Sequence, residues 1–238
     1  MTPLPTCCTP FDSHWPLPDP LPGTVFFSTR FDPARLDNGD FQRCAVPPPA
    51  SIQRSVAKRQ AEFLAGRVCA RAALQRLDNL DCTPAIGEDR APVWPAHISG
   101  SITHSTGHAA AIVGHKAQWR GLGMDVENML TLERAERLAG EILTADELQR
   151  MALVPQEQIA QLVTLTFSAK ESLFKALYPI VQKRFYFEHA EVLAWSDTGH
   201  VQLRLLTDLS SEWCAGKELE GQFAVSDGQL LSLVAISG

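Results

Sequence analysis

Several things are missing from this 238-residue chain, and each absence narrows what it can be. No apolar run approaches the ~20 residues a membrane-spanning helix needs. The opening stretch, Met1-Thr-Pro-Leu-Pro-Thr-Cys-Cys-Thr-Pro10, has neither the basic nor the apolar segment of an export signal. Six cysteines (7, 8, 44, 69, 82 and 214) form no C-x-x-C pair and no zinc-like spacing with histidine. Without an export signal, reduced thiols and a cytoplasmic location are expected. A basic excess is lacking too: the net charge is -6, which disfavours a general nucleic-acid binder. There is no internal repeat by identity, and no low-complexity segment beyond a few proline clusters.

What is present is an ordinary globular composition, 45% hydrophobic and 20% charged, with enough apolar content for a core. Residues 1–23, proline-rich and without a period, predict an extended arm. Thr24–Thr29 predicts a buried strand. Apolar residues at Ile52, Val56, Phe63, Leu64, Val68, Leu74 and Leu77 predict one long helix over 51–77. That helix is basic, with six Lys/Arg between residues 51 and 76 against one acid, Glu62. Arg67 and Arg71 fall inside its apolar sector. Two readings stand there: structural arginines bridging to acids, or an anion site, since guanidinium groups converge on phosphate oxygens. Ala65-Gly66 predicts close approach by another backbone.

Residues 78–91 read as a loop. His97–His108 followed by Ala109–Val113 reads as a hairpin with His104 and Ser105 at its tip. Four of the seven histidines lie between 97 and 115. Strand-turn-strand placement splits them over both faces, so no metal cage is expected among them.

The chain is organised around Gly121-Leu-Gly-Met-Asp-Val-Glu127. Leu122, Met124 and Val126 give a strand one apolar face, and Asp125 and Glu127 share the other. Adjacent carboxylates repel unless a cation sits between them, and a hard cation such as Mg²⁺ fits an all-oxygen site. A merely solvated strand face is the alternative. Beyond it, Leu130–Ala139 predicts a helix, and Thr144-Ala-Asp-Glu147 a capping box. Another helix is expected over 156–178, stopped by Pro179. Within it lies Phe167-Ser-Ala-Lys-Glu-Ser-Leu-Phe-Lys175. Lys170 projects from the middle of the apolar face, which is costly unless its amine reaches an anion or water. Glu171 and Lys175 border that face one turn apart. Strands over 189–195, 201–206, 222–225 and 230–236 complete an α+β pattern, with a hairpin at Ser226–Gln229.

Gly123-Met-Asp-Val-Glu127 together with Phe167–Lys175 resembles the paired signature G-x-D-x-E and W-x-x-K-E-S-x-x-K of the 4′-phosphopantetheinyl transferases. The likeness is to the larger, Sfp-type members, in the enterobactin synthase component D subgroup with its Pseudomonas relative PcpS. Lys58–Arg67, Arg90–Pro95 and Gly100–Ser105 match that subgroup as well. Phe167 departs from the usual Trp, exchanging one large apolar residue for another.

The resemblance implies a fold of two pseudo-equivalent halves, each a small antiparallel sheet packed with a long helix, with coenzyme A in a cleft between them. The boundaries expected are 1–23 for the arm, 24–117 for the first half and 118–238 for the second. It implies transfer of the phosphopantetheine arm of CoA to a serine of an apo acyl or peptidyl carrier protein, releasing 3′,5′-ADP. Asp125, Glu127 and Glu171 would hold Mg²⁺; Glu171 would take the serine proton; Lys175 would steady the leaving phosphate. Lys58, Arg90, Thr103 and His104 would hold CoA phosphates, and Arg67 and Lys170 join them as cations available to an anion. Carrier proteins of this kind are acidic helical bundles, and Lys183-Arg-Phe-Tyr-Phe187 has the composition of a docking surface for one. A monomer is expected, with no nucleic-acid partner. The rival classes are a metal-dependent nuclease or phosphodiesterase, whose acids and lysine are normally spaced E-x-K on a strand, and a non-catalytic carrier-binding module, which has no need of metal carboxylates.

Overall fold

The computed structural model describes residues 3–238. In chain order the elements are β1 (Thr24–Arg30), α1 (Asp40–Arg43), α2 (Ala50–Gln53), α3 (Ala57–Asp78), β2 (Ala85–Ile86), β3 (Pro92–Val93), β4 (Ile98–Ser105), β5 (His108–His115) and β6 (Trp119–Asn128). There follow α4 (Leu132–Ile142), α5 (Ala145–Met151), α6 (Gln156–Val181), β7 (Ala190–Trp195), β8 (His200–Leu205), β9 (Glu218–Ser226) and β10 (Gln229–Ser237). Two compact units result. The first takes residues up to Trp15, Leu21–Trp119 and Gly238; the second takes Pro16–Pro20 and Arg120–Ser237.

In the first unit β1, β5 and β4 form a three-stranded antiparallel sheet in that order. Helix α3 packs on it through Ala65, Cys69, Ala70, Ala73 and Leu74, all buried, while Leu64 and Val68 face Cys44, Val46 and Ile52 on its other side. The single helix expected over 51–77 is broken at Arg54–Val56. Val56 is extended, and the Gln60 amide donates to the carbonyls of Gln53 and Ser55 that the break exposes. Gly66 does allow a close approach, but by a side chain: an added Cβ would lie 2.7 Å from an Ile102 methyl carbon on β4. The expected loop over 78–91 contains half of a short hairpin, β2 paired with β3. The N-terminal stretch is held to the fold from residue 5 onward. Cys8 bridges Phe31, Asp12 bridges Ser28, and Cys7 and Leu17 are buried.

In the second unit the five-stranded sheet runs β6-β10-β9-β8-β7. Asp227 and Gly228, both with positive φ, make the β9–β10 turn, as Asp-Gly does in two-residue hairpins. Helix α6 lies on this sheet, with Leu165, Ala169, Leu173, Ala176 and Leu177 in the main core. It continues past Pro179 to Val181. A proline so near the end removes only one hydrogen bond, and Gln182 closes the helix in the left-handed region, its N–H donating to Tyr178. The Thr144–Glu147 capping box is formed.

Candidate active site

Strand β6 carries Asp125 and Glu127, and α6 carries Glu171 and Lys175. Glycine sets how closely the two elements approach. A Cβ on Gly123 would lie 1.9 Å from the Ser172 carbonyl oxygen, and one on Gly121 would lie 2.2 Å from that of Ala176. The strand backbone therefore lies against the helix backbone at these two positions. Ser168 Oγ adds a hydrogen bond to the Asp125 carbonyl (3.3 Å). That contact delivers Lys175 Nζ to Asp125 Oδ1 at 2.6 Å and to the Met124 carbonyl at 3.1 Å.

The carboxylates act on one another. Burial, then the nearby charge of Asp125, pushes Glu127 up to about 7; Glu171 adds to the rise, and Lys175 and Arg134 oppose it. Burial also raises Glu171, with Lys175 pulling it back and Asp125 pushing it up. Asp125 itself is 5% exposed. Glu127 and Glu171, both raised by burial and by the charge of Asp125, form with Asp125 an all-oxygen donor set with surplus negative charge. That is the chemistry a hard divalent cation satisfies.

Lys170 has a different place from the one expected of a phosphate-binding cation. It is buried, and its ammonium donates to Glu147 Oε2 (2.6 Å), the Ile142 carbonyl (2.9 Å) and the Phe187 carbonyl (2.9 Å). An ammonium has three donors, and all three are used. Glu147 in turn accepts from the N–H groups of Val192 and Thr144. Lys170 thus ties α6 to the end of α4, the start of α5 and the segment before β7. It anchors the helix that bears Glu171.

Beside Glu171 opens a cavity of about 200 Å³, lined also by Phe174, Arg184, Tyr186 and Phe187. The stretch after α6 divides. Phe185 belongs to the core, Phe187 packs on Phe167 with ring centroids 5.4 Å apart, and Tyr186 is exposed. Lys183 donates to the Asp208 carbonyl (2.6 Å).

The basic residues lie on the first unit. Lys58 and Arg59 stand exposed in the first turn of α3, which carries no acid. Two cations at the positive end of a helix dipole are unfavourable without an anion. Arg59 donates to His104 Nε2 (2.8 Å) and lies 3.4 Å from Glu62. The basic run from Lys58 is the sequence signal that marks Arg59 as well. Arg67 is 7% exposed, with its guanidinium over the Phe63 ring, and among the described residues no carboxylate pairs with it. Burial, with Arg59 nearby, lowers it to about 10. Arg71 takes the structural role, donating to the Cys44 carbonyl and lying 4.0 Å from Asp81. Arg90 is exposed in the β2–β3 hairpin with φ of 73°, a strained value for a residue with a side chain. On β4, His104 shares a face with Ile102 towards α3, whereas Thr103, 2% exposed, lies on the opposite face.

Residues 48–114 match the 4′-phosphopantetheinyl transferase N-terminal domain, and residues 121–229 match the 4′-phosphopantetheinyl transferase superfamily. Enterobactin synthase component D of Escherichia coli (strain K12) is 36% identical over 177 residues, covering 74% of this chain and 81% of that protein. The 4′-phosphopantetheinyl transferase PptT of Mycobacterium tuberculosis is 32% identical over 227 residues, covering 91% and 96%. The 4′-phosphopantetheinyl transferase Npt of Nocardia iowensis is 31% identical over 193 residues, covering 77% and 85%. With the D-x-E strand and the K-E-S-x-x-K helix in contact and relatives matched over most of their length, the chain belongs to the 4′-phosphopantetheinyl transferase superfamily, among its enterobactin synthase component D-like members.

Proposed function

We propose that this enzyme carries out the family's transfer of 4′-phosphopantetheine from coenzyme A to a carrier-protein serine with Asp125, Glu127 and Glu171 as the ligands of a Mg²⁺ ion. The observation that supports this most is the 2.6 Å contact of Lys175 with Asp125, which joins the two halves of the signature on one unit. Bound there, Mg²⁺ would supply neutralising charge for the phosphates. The serine oxygen forms a bond to the β-phosphorus of CoA, the phosphoanhydride bond breaks, and 3′,5′-ADP leaves with the electron pair. Glu171 receives the serine proton. Burial raises its proton affinity, which strengthens it as a base. Lys175, half-buried beside Asp125, meets the charge that grows on the leaving phosphate.

On the first unit, Lys58, Arg59, Arg67 and His104 are the groups proposed to hold the phosphates of CoA, with Arg90 as a further contact. The carrier is proposed to dock on the exposed part of the stretch after α6, namely Lys183, Arg184 and Tyr186, whose two cations suit an acidic partner. The test is direct. The protein is incubated with CoA, Mg²⁺ and an apo carrier protein, and the carrier is weighed. The expected result is a mass gain equal to one phosphopantetheine, lost when Mg²⁺ is chelated. An unchanged carrier mass, or transfer indifferent to chelation, would overturn the reading.

A further inference from the structure

The first unit holds a second cluster of ligating groups that the transfer reaction does not use. Asp78 is the last residue of α3, His97 directly precedes β4, and His115 ends β5. In the β4–β5 register Ile98 pairs with His115, so both imidazoles come to the same end of the hairpin. Their rings stack, with centroids 6.0 Å apart and planes 23° apart. Each faces its own oxygen of Asp78: His97 Nε2 lies 2.7 Å from Oδ2, and His115 Nε2 lies 3.7 Å from Oδ1. One ligating atom from each of the three residues lies within 4.8 Å of the other two. The expectation that strand-turn-strand placement would scatter these histidines fails, because His97 sits just outside the strand and is free of its alternation.

We propose that Asp78, His97 and His115 form a binding site for a borderline transition-metal ion of the Zn²⁺ class, separate from the carboxylate set on the second unit. Two imidazoles and one carboxylate suit such ions, whereas Mg²⁺ takes oxygen donors. Tetrahedral Zn²⁺, with bonds of about 2.0–2.1 Å, spaces its donors roughly 3.3 Å apart. The observed separations bracket that spacing, and all three side chains retain solvent exposure that lets them adjust. Three protein donors leave a coordination position for water. A second observation points the same way. Asp78 puts a carboxylate at the negative end of the α3 dipole, an unfavourable place that a bound cation corrects. The ion would link the end of α3 to the open end of the β4–β5 hairpin, bracing the pair of elements that bears Arg67 and His104.

The experiment uses the full chain in excess Mg²⁺. Zn²⁺ binding is measured by competition with a chromogenic chelator, for wild type, His97→Ala, His115→Ala and the triple variant Asp78→Asn/His97→Ala/His115→Ala. Wild type should bind one equivalent of Zn²⁺. Each single variant should weaken binding by more than the roughly 10–100-fold that the loss of a mere outer-shell partner costs. Zn²⁺ should raise the melting temperature of wild type but not of the triple variant. Co²⁺ should give the intense visible absorption of a four-coordinate site in wild type alone. Phosphopantetheine transfer should persist in all four proteins. Zn²⁺ affinity equal in wild type and the triple variant would overturn the proposal and leave the cluster as a surface ion pair. So would Zn²⁺ binding abolished by Glu127→Gln but untouched by the histidine variants.

Discussion

Lys175 Nζ sits 2.6 Å from Asp125 Oδ1, so one carboxylate of the acidic strand already has a cation beside it. The ammonium can cover one carboxylate oxygen, and Glu127 and Glu171 remain in an environment that resists their ionisation. Asp125→Asn keeps the shape and removes the charge that faces Lys175 and that the proposed metal ion would need. A folded variant is expected, judged by circular dichroism. Its Mg²⁺-dependent transfer should fall by more than the roughly 10–100-fold ascribed to an outer-shell change. Turnover within a few-fold of wild type would remove Asp125 from the metal site.

Glu171 is assigned two jobs, and they can be separated. Glu171→Gln keeps an oxygen for the metal but loses nearly all basicity. Loss of a general base costs roughly 10²–10⁴ in rate. Raising Mg²⁺ should recover only the part due to weaker metal binding, and Glu171→Asp should fall between. kcat for carrier modification is measured against Mg²⁺ concentration for all three proteins. Full recovery of Glu171→Gln at high Mg²⁺ would make Glu171 a ligand only.

The pH dependence follows from Glu127, which is held at about 7 against an ordinary 4.5. Between those values the folded protein carries a proton there that the unfolded chain has lost. The folded state therefore loses stability as pH rises through that window; the contribution is fully present below 4.5 and gone above about 7. Glu171, raised for the same reason, acts in the same direction. Without divalent ions, the urea midpoint of wild type should fall relative to Glu127→Gln as pH increases, and added Mg²⁺ should flatten the difference. A difference independent of pH would contradict the buried-carboxylate account.

Lys170 and Glu147 test whether the lysine is structural. Both are 3% exposed. Lys170→Met strands Glu147 in the core, and breaking a buried pair from one side costs about 3–5 kcal/mol. The double variant Lys170→Met/Glu147→Gln should recover much of that. Denaturant unfolding reads the stability, and the KM for CoA of whatever protein folds should be unchanged. A raised KM in the stable double variant would return Lys170 to the CoA site.

The signature residues could be read because strand alternation puts Asp125 and Glu127 on one face, and helical spacing puts Glu171 and Lys175 at one edge. The family resemblance then joined the two segments. Helices and strands came out near their expected positions where apolar period and caps agree, as at Thr144–Glu147. What the sequence leaves open is the choice of partner, which is tertiary. Lys170 on an apolar face looks alike whether its amine meets CoA or Glu147, and only the fold brings Glu147 to it from 23 residues away. Arg67 and Arg71 occupy one sector of one helix, yet Arg71 meets the Cys44 carbonyl and Arg67 lies over the Phe63 ring. His97 and His115 lie 18 residues apart in sequence and stack because β4 and β5 pair in a register that no local pattern dictates.

The glycines of the organising strand give the last prediction. At Gly123 a methyl group would lie 1.9 Å from the Ser172 carbonyl oxygen and 2.4 Å from the Ala176 nitrogen, both backbone atoms. Neither can move without distorting α6, so Gly123→Ala must push β6 away from the helix. Overpacking of this kind typically costs 1–3 kcal/mol and occasionally more. The same displacement lengthens the Lys175–Asp125 contact and parts Asp125 and Glu127 from Glu171. Transfer should therefore fall far more than stability alone explains, even at a temperature where the variant is fully folded. Gly140→Ala is the control. It lies in α4 with nothing within 4 Å of an added Cβ. Alanine there should stabilise by about 0.5–1 kcal/mol and leave transfer untouched. Melting temperature and kcat are measured for both, with Mg²⁺ varied for Gly123→Ala. A higher Mg²⁺ requirement is the signature of separated ligands. If Gly123→Ala folds, melts lower and yet transfers phosphopantetheine at the wild-type rate and Mg²⁺ requirement, the close approach of strand and helix serves packing alone.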